Sequence, residues 1–430
     1  MVDKLLNVIH WNQLNEIDQK KILVRPAFST SNKVVELVKK IILDVKMLGD
    51  SALKKYSYIF DHSNLNTFQV SDKKILDSHY KVKNNVKDAI LKAIENIKIF
   101  HAMQQMKIID IEVQSGINCQ QIIKPIESVG LYIPGGLSPL VSTVLMLSIP
   151  AQIAQCPNIF ICSPPPITNE ILYAAKVCGV HKVFEIGGAQ AIAAFAFGTK
   201  SIPKVNKIFG PGNIYVTEAK RQVNQLLNNL AIDMLAGPSE LLIIADSMAN
   251  PIFVAADLLS QLEHGPDSQV VLVTPSIILV QEVLQQLKKQ LQVLSHREII
   301  KKTLKKSFVV ITSNLIECTS ISNLYAPEHL IINTINPEDL LCNIINAGSI
   351  FLGNWSPEAA GDYASGPNHV LPTYGCAAVY SGVGVIDFQK RISVQKLTKE
   401  GLISLSSTIL TLSNIEKLEA HYNAIKLRLD

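Results

Sequence analysis

The sequence predicts an α/β protein with two mostly parallel, helix-covered sheets and small helical segments at either end. Three observations carry this. The chain has 430 residues, beyond the size at which one hydrophobic core stops growing, so more than one domain is expected. Hydrophobic residues make up 48% and charged residues 18%, a balance that favours large packed cores over disorder. From about residue 108, short apolar runs alternate with helical patterns, as expected when strands are buried on both faces by flanking helices.

In chain order, "STSNKVVELVKKIILDVKMLGDSALKKYSYIFD" opens on Ser, Thr and Asn capping candidates and carries helical apolar spacing, interrupted at Gly49. "NNVKDAILKAIENIKIFHAMQQ" continues that pattern. A first block of strands follows, "SVGLYI", "NIFIC", "KVFEI" and "NKIF", with turns "PGG", "SPPP", "GGAQ" and "GPGN". After "LAGPSE" comes a second block, "LLIIAD", "VVLVT", "FVVIT", "HLIIN" and "SIFLG". The expected layout is two Rossmann-like domains. Residues 25–107 with 236–380 form the first, and 108–235 form the second. They are flanked by an N-terminal helical segment, 1–24, and a C-terminal helical tail, 381–430.

The bulk properties exclude several function classes. A net charge of +4 gives no reason to expect nucleic acid or an anionic membrane as partner. The most apolar stretch, "PLVSTVLMLSIPAQIAQC", is broken by Pro150 and by serines, and falls short of a transmembrane span. The opening residues carry no secretory-signal pattern. The seven cysteines, 119, 156, 162, 178, 318, 342 and 376, are scattered and include no C-x-x-C, which points to a reducing, cytoplasmic setting.

Ligands of such sheets bind beyond the carboxyl ends of the strands, so the loops after strands are where chemistry is expected. "GLYIPGG", "GGAQA", "FGPGNIY" and "AGPSE" offer glycines for close backbone approach, with Tyr132, Gln190, Asn213 and Ser239 beside them. None is a G-x-G-x-x-G, so the common dinucleotide fingerprint is absent.

Three loci offer reactive side chains. In "NPIFVAADLLSQLEHGPDSQ", Asn250 and Pro251 suit a helix start and Gly265-Pro266 its stop, placing a helix over about 251–264. Gln261 and His264 then share a face at a helix C-terminus, as two metal ligands or as a polar helix end. "LYAPEHLIINT" sets Glu328 and His329 at the head of a strand, with Pro327 expected to hold Ala326 extended. The pair suits shared proton work near neutral pH, or simply faces solvent. The long loop "GNWSPEAAGDYASGPNHVLPTYGCAA" carries Asp362, Asn368 and His369, and Asp362 supplies the anionic oxygen a divalent metal needs. In the tail, Glu416 and His421 lie five apart, so a solvated helix is their default reading.

Taken together, "GLYIPGG", "SPPP", "IGGAQAIAA", "FGPGN", "AGPSE", "DLLSQLEHGPDSQ", "YAPEHL", "GDYASGPNHVLPT", "DFQKR" and "LEAHYNAIKLR" resemble the histidinol dehydrogenase family over essentially the whole chain. One departure is Pro367, where a small hydroxylated residue is expected. The resemblance implies an aldehyde-dehydrogenase-like architecture and the oxidation of L-histidinol to L-histidine in two NAD-dependent steps through a retained aldehyde. It implies one Zn2+ held by Gln261, His264, Asp362 and His421, with His329 as general base and Glu328 assisting water activation. Substrate contacts are implied at Ser239, Gln261, His264, His329, Asp362, Glu416 and His421. NAD contacts are implied at Tyr132, Gln190 and Asn213. It also implies a cytoplasmic homodimer whose C-terminal tail, with Glu416 and His421, serves the partner's site.

A cysteine thiohemiacetal is the competing oxidative chemistry. Cys119 and Cys156 are its nearest candidates, but neither sits in an activating motif, and both are expected to be structural. A zinc hydrolase would need an open water position on the metal and no NAD. A metal-dependent scaffold would leave "APEHL" and the Gly-rich loops without a role.

Overall fold

The computed structural model describes residues 5–25, 31–135, 139–234 and 237–429. Gly136 of the "PGG" turn, and Leu235 and Ala236 of "LAGPSE", lie outside these.

The first strand block becomes β4 (Ser128–Tyr132), β5 (Asn158–Ser163), β6 (Lys182–Glu185), β7 (Lys207–Phe209) and β8 (Ala231–Ile232). They form a parallel sheet in the order β6-β5-β4-β7-β8. The second block becomes β9 (Glu240–Ala245), β10 (Gln269–Thr274), β11 (Phe308–Ile311), β12 (His329–Asn333) and β13 (Ser349–Leu352). With β1 (Asn7–His10) at its edge, it forms a six-stranded parallel sheet, β1-β11-β10-β9-β12-β13. Both sheets are thus the two parallel, helix-covered sheets that the alternation predicts. Side chains alternate between faces as a strand requires: Leu241 and Ile243 enter one core, Leu242 and Ile244 the other.

Three expectations about organisation are corrected. Segment 1–24 is not merely helical, because β1 pairs with β11 and completes the larger sheet. The helices of 25–107 bury their apolar faces chiefly on the smaller sheet rather than on the 236–380 body. Val38, Ile41, Ile42 and Val45 of the helix Asn32–Leu48 pack into the core of Ala191–Ala196, on the smaller sheet. Ile90, Ile94 and Ile97 of the helix Asn84–Ala102 pack with Val144 to Leu147 on its opposite face. Finally, the tail is not helical throughout: after the short helical turn Val385–Phe388 it carries a strand, β14 (Gln389–Leu397). It pairs antiparallel with β3 (Ile117–Pro125), which also pairs with β2 (Ile109–Gln114), in a small sheet that the sequence reading does not contain.

Local signals hold at the helix ends. Asn250 accepts from the Ile252 N–H at 2.9 Å and caps the helix Pro251–Leu262. Gly49, at φ +52°, separates Asn32–Leu48 from Asp50–Asp61. No helix among the described residues is long and apolar enough to cross a membrane.

Candidate active site

Glu328 and His329 enter β12 at its first residue, so they lie at the amino edge of the larger sheet, beside Glu240 at the start of β9. The strand-head position is the one the sequence predicts for this pair, although it departs from the general expectation that reactive groups follow the strands. The reason is that the helix Pro251–Leu262 follows β9 and the helix Glu358–Tyr363 follows β13, and each returns against the strand direction. Their C-terminal ends, with His264 and Asp362, therefore arrive where the strands begin. Nor is Ala326 extended as expected: it caps the helix Leu315–Tyr325 in the left-handed region, at φ +48°. That helix must end and reverse within three residues to feed β12, and Ala326 makes the reversal.

The solvent-facing reading of the Glu328–His329 pair fails on burial, since they are 5% and 2% exposed. The Glu240 N–H donates to Glu328 Oε2 at 2.8 Å, and His329 Nδ1 lies 3.2 Å from the Glu240 carbonyl oxygen. Three carboxylates surround the imidazole. Glu358 Oε1 is 3.5 Å and Glu328 Oε2 3.6 Å from Nδ1, and Asp362 Oδ1 is 3.7 Å from Nε2. Burial works against charge on His329, but Glu358, Glu328 and Asp362 outweigh it, and its pKa is pushed up to about 10. Burial pushes Glu328 well above the ordinary carboxylate range. At Asp362 burial opposes ionisation, yet His329, His369 and His264 hold the carboxyl below its usual value.

The "QLEH" helix end meets the same cluster. His264 Nε2 is 3.6 Å from Asp362 Oδ2, and burial lowers the His264 pKa, favouring the neutral imidazole that ligates metals. Gln261 is fully buried; with its amide nitrogen facing Glu358 it donates to Oε2 at 2.8 Å, which turns the amide oxygen the other way. His264, Glu358 and Asp362 place one ligand atom each within 4.8 Å of one another. Glu358 is the residue that sequence reasoning missed. Its signal was available: it stands four residues before Asp362 on one helix, hence on one face. Burial pushes Glu358 up to about 8.

The loop after Asp362 ties this cluster to the other sheet. His369 Nδ1 is 2.8 Å from the Asp362 carbonyl oxygen, and its Nε2 is 3.3 Å from Thr143 Oγ1. Asn368 donates to the Met146 carbonyl at 2.6 Å, and both Thr143 and Met146 belong to the helix Val141–Ile153 that follows β4. A cavity of about 270 Å³ opens here, lined by His329, Asp362, Asn368 and His369 among others.

The smaller sheet keeps to the carboxyl-edge rule. Its strand order reverses between β4 and β7, and Tyr132 ends β4 there. The Tyr132 hydroxyl accepts from the Gly188 N–H at 3.1 Å, next to Gln190. Gln190 is buried with neither amide atom hydrogen-bonded, an orphaned donor–acceptor pair of the kind a ligand satisfies. Asn213 accepts from the N–H groups of Tyr215 and Val216, each at 3.1 Å, and caps the helix Ile214–Leu226. Ser239 immediately precedes β9, at the edge where Glu328 and His329 lie.

Glu416 and His421 are not in this cluster. They line a separate groove of about 380 Å³ between the tail helices Lys399–Ile415 and Glu419–Leu429. Of the two thiohemiacetal candidates, burial pushes the Cys156 thiol up to about 12, and Cys119 lies on β3 of the small antiparallel sheet, outside the reactive cluster.

The family model described as histidinol dehydrogenase matches residues 24–429. The histidinol dehydrogenase of Buchnera aphidicola subsp. Acyrthosiphon pisum (strain APS) is 57% identical over 424 residues, spanning 99% of this chain and 98% of that protein. That of Yersinia pestis is 54% identical over 98% of this chain and 95% of its own length. A crystal structure of histidinol dehydrogenase from Elizabethkingia anophelis matches with a TM-score of 0.95 and 44% identity, covering 99% of this chain and 98% of that one.

Proposed function

The chain belongs to the histidinol dehydrogenase family, and from that premise we propose that it oxidises L-histidinol to L-histidine in two NAD-dependent hydride transfers, as a zinc-dependent enzyme of histidine biosynthesis. The observation that carries the reading is the convergence, from three separate loci, of the buried Glu328, His329 and Gln261 with the half-buried Asp362 and the more exposed His264.

The donor set fits a divalent cation. Gln261, His264 and Asp362 would hold it, with His421 of the partner subunit as the fourth ligand, and Glu358 would orient the Gln261 amide from behind. Bound zinc supplies a positive centre for the imidazole and amino nitrogens of the substrate. The buried, unpartnered Gln190 amide and the Tyr132–Gly188 contact fit NAD at the carboxyl edge of the smaller sheet, with Asn213 at the neighbouring helix start.

His329 takes the alcohol proton as hydride leaves the carbinol carbon for NAD, and Glu358 and Glu328 stabilise the imidazolium that forms. Committing Asp362 to a cation removes one carboxylate's pull on His329, which brings the imidazole back toward the range where a base works near neutral pH. Once His329 has released that proton to solvent, Glu328, held by the Glu240 N–H, assists it in drawing a proton from the water that adds to the aldehyde, and the proton returns to the aldehyde oxygen to complete the hydrate. In the second oxidation the hydrate gives its C–H hydride to a second NAD while His329 accepts a hydroxyl proton, and the resulting acid ionises to the carboxylate. Ser239 and Glu416 of the partner subunit complete the substrate contacts.

The test is NADH yield from limiting L-histidinol, with zinc removed and returned. Two NADH per histidinol, lost with chelator and restored by zinc, is the expected result. A yield of one would remove the Glu328-assisted water step, and none from folded, zinc-loaded protein would overturn the assignment.

A further inference from the structure

We infer that Arg25, which lies outside the reactive cluster, is a positioning residue for Glu328 and His329 and acts through the main chain of Glu240; this rests on the catalytic roles proposed above. Arg25 Nε donates to Glu240 Oε1 at 2.9 Å and Nη2 to Oε2 at 2.8 Å, a two-point fork between side chains 12% and 2% exposed. The clamped residue is the one whose own backbone grips both reactive groups. The Glu240 N–H donates to Glu328, and its carbonyl oxygen lies against His329 Nδ1. A shift of the Glu240 main chain therefore displaces both side chains together.

Arg25 also reaches the turn that delivers them. Nη2 lies 3.3 Å from the carbonyl oxygen of Ala326, the residue in the left-handed region two positions before Glu328. Such a backbone conformation in a residue with a Cβ persists only where its surroundings hold it. The guanidinium sits 3.8 Å from the centre of the Tyr325 ring, and the Tyr325 hydroxyl donates to Gln269 Oε1 at 2.8 Å, at the start of β10. The Tyr374 N–H adds a further bond to Glu240 Oε1, at 2.9 Å. One cation from the N-terminal segment thus joins the starts of β9 and β10 and the turn before β12. Only arginine offers a planar fork, a third donor and a stacking face at once; lysine keeps the charge but not the geometry.

The experiment compares Arg25→Lys and Arg25→Met with the wild-type enzyme, measuring kcat, KM for L-histidinol and NAD, and bound zinc, and repeats Arg25→Lys in a His329→Asn background. Loosening a base by a fraction of an ångström lowers turnover without weakening ground-state binding. The expected result is a kcat loss of roughly tenfold for Lys and roughly a hundredfold for Met, with both KM values and zinc content within about twofold. Added guanidinium ion should restore part of the Met loss. In the His329→Asn background, the Lys substitution should cost clearly less than about tenfold more, because one of the two groups it positions is gone. If the Met variant does not fold, the Lys variant and its cycle decide alone. Unchanged kcat in Arg25→Lys, or a tenfold loss that persists undiminished without His329, overturns the proposal. Wild-type turnover in His329→Asn itself identifies the catalytic reading as the failure.

Discussion

Asp362 stands between two histidines, His264 at 3.6 Å and His329 at 3.7 Å, and substitution should separate their roles. His329→Asn should lower turnover by roughly 10²–10⁴-fold while bound zinc stays normal, because a general base contributes on that scale and is not in the proposed ligand set. His264→Asn should lower zinc and turnover together, read by metal analysis beside kinetics; unchanged zinc would remove His264 from the ligands. A second residue-scale prediction concerns stability. Asp61 Oδ2 is buried without a partner, and burial raises its pKa from 3.8 to about 6. Because the folded state binds this proton more tightly, the group favours folding fully below about pH 4. That contribution is lost as pH rises through 6. Asp61→Asn should therefore stabilise the protein at pH 7, by about 1 kcal/mol once partial solvent screening is allowed for, and leave it unchanged at pH 4. Equal gains in Tm at both pH values would show that ionisation is not the cause.

At the scale of elements, the turn after β7 shows how the smaller sheet shapes its carboxyl edge. Gly210 sits at φ +119°, with the Tyr132 carbonyl oxygen where a Cβ would go. Its N–H donates to Asp233 Oδ2 at 2.7 Å, and its carbonyl accepts from Lys220 Nζ at 2.9 Å. Lys220 and Asp233 are themselves a buried ion pair. The "GPGN" loop is thus pinned from beneath, which leaves Asn213 at a fixed helix start. Gly210→Ala should force this turn from Tyr132 and raise KM for NAD roughly tenfold, the size expected of backbone strain of this kind, with KM for histidinol and zinc content unaffected. A variant whose two KM values rise in parallel would place the turn's effect elsewhere. Much of this scale was legible beforehand. The strands "HLIIN" and "NIFIC" and the Asn250-capped helix appear where propensity and capping put them, because those signals are local. The strand Gln389–Leu397 was not legible: its exposed face gives "QKRISVQKL" a weak pattern, and only pairing with β3 makes it a strand.

At the scale of the whole molecule, the proposed site is incomplete in one chain. His421 and Glu416 lie in the tail groove, away from the His264–Glu358–Asp362 cluster. If each tail serves the partner, His329→Asn and His421→Asn chains should complement each other. A hybrid dimer combines one intact body with one intact tail. Random reassortment makes half of the dimers hybrids, each with one working site, so refolding an equal mixture should recover roughly a quarter of wild-type turnover. Recovery of none would return His421 to its own chain or remove it from the site.

By itself the sequence determined the two-sheet α/β class, the family, and the loci that hold reactive groups, because periodicity, capping and motif are properties of neighbouring residues. Tertiary structure alone decided the rest. It placed the helices of 25–107 on the smaller sheet, since an amphipathic face specifies that it will be buried but not against which partner. It brought His264, Glu358, Asp362 and Arg25 to the Glu328–His329 pair at the head of β12. Such neighbours follow from where helices return and chains cross, over separations of 29 to 301 residues in sequence, which no local pattern encodes.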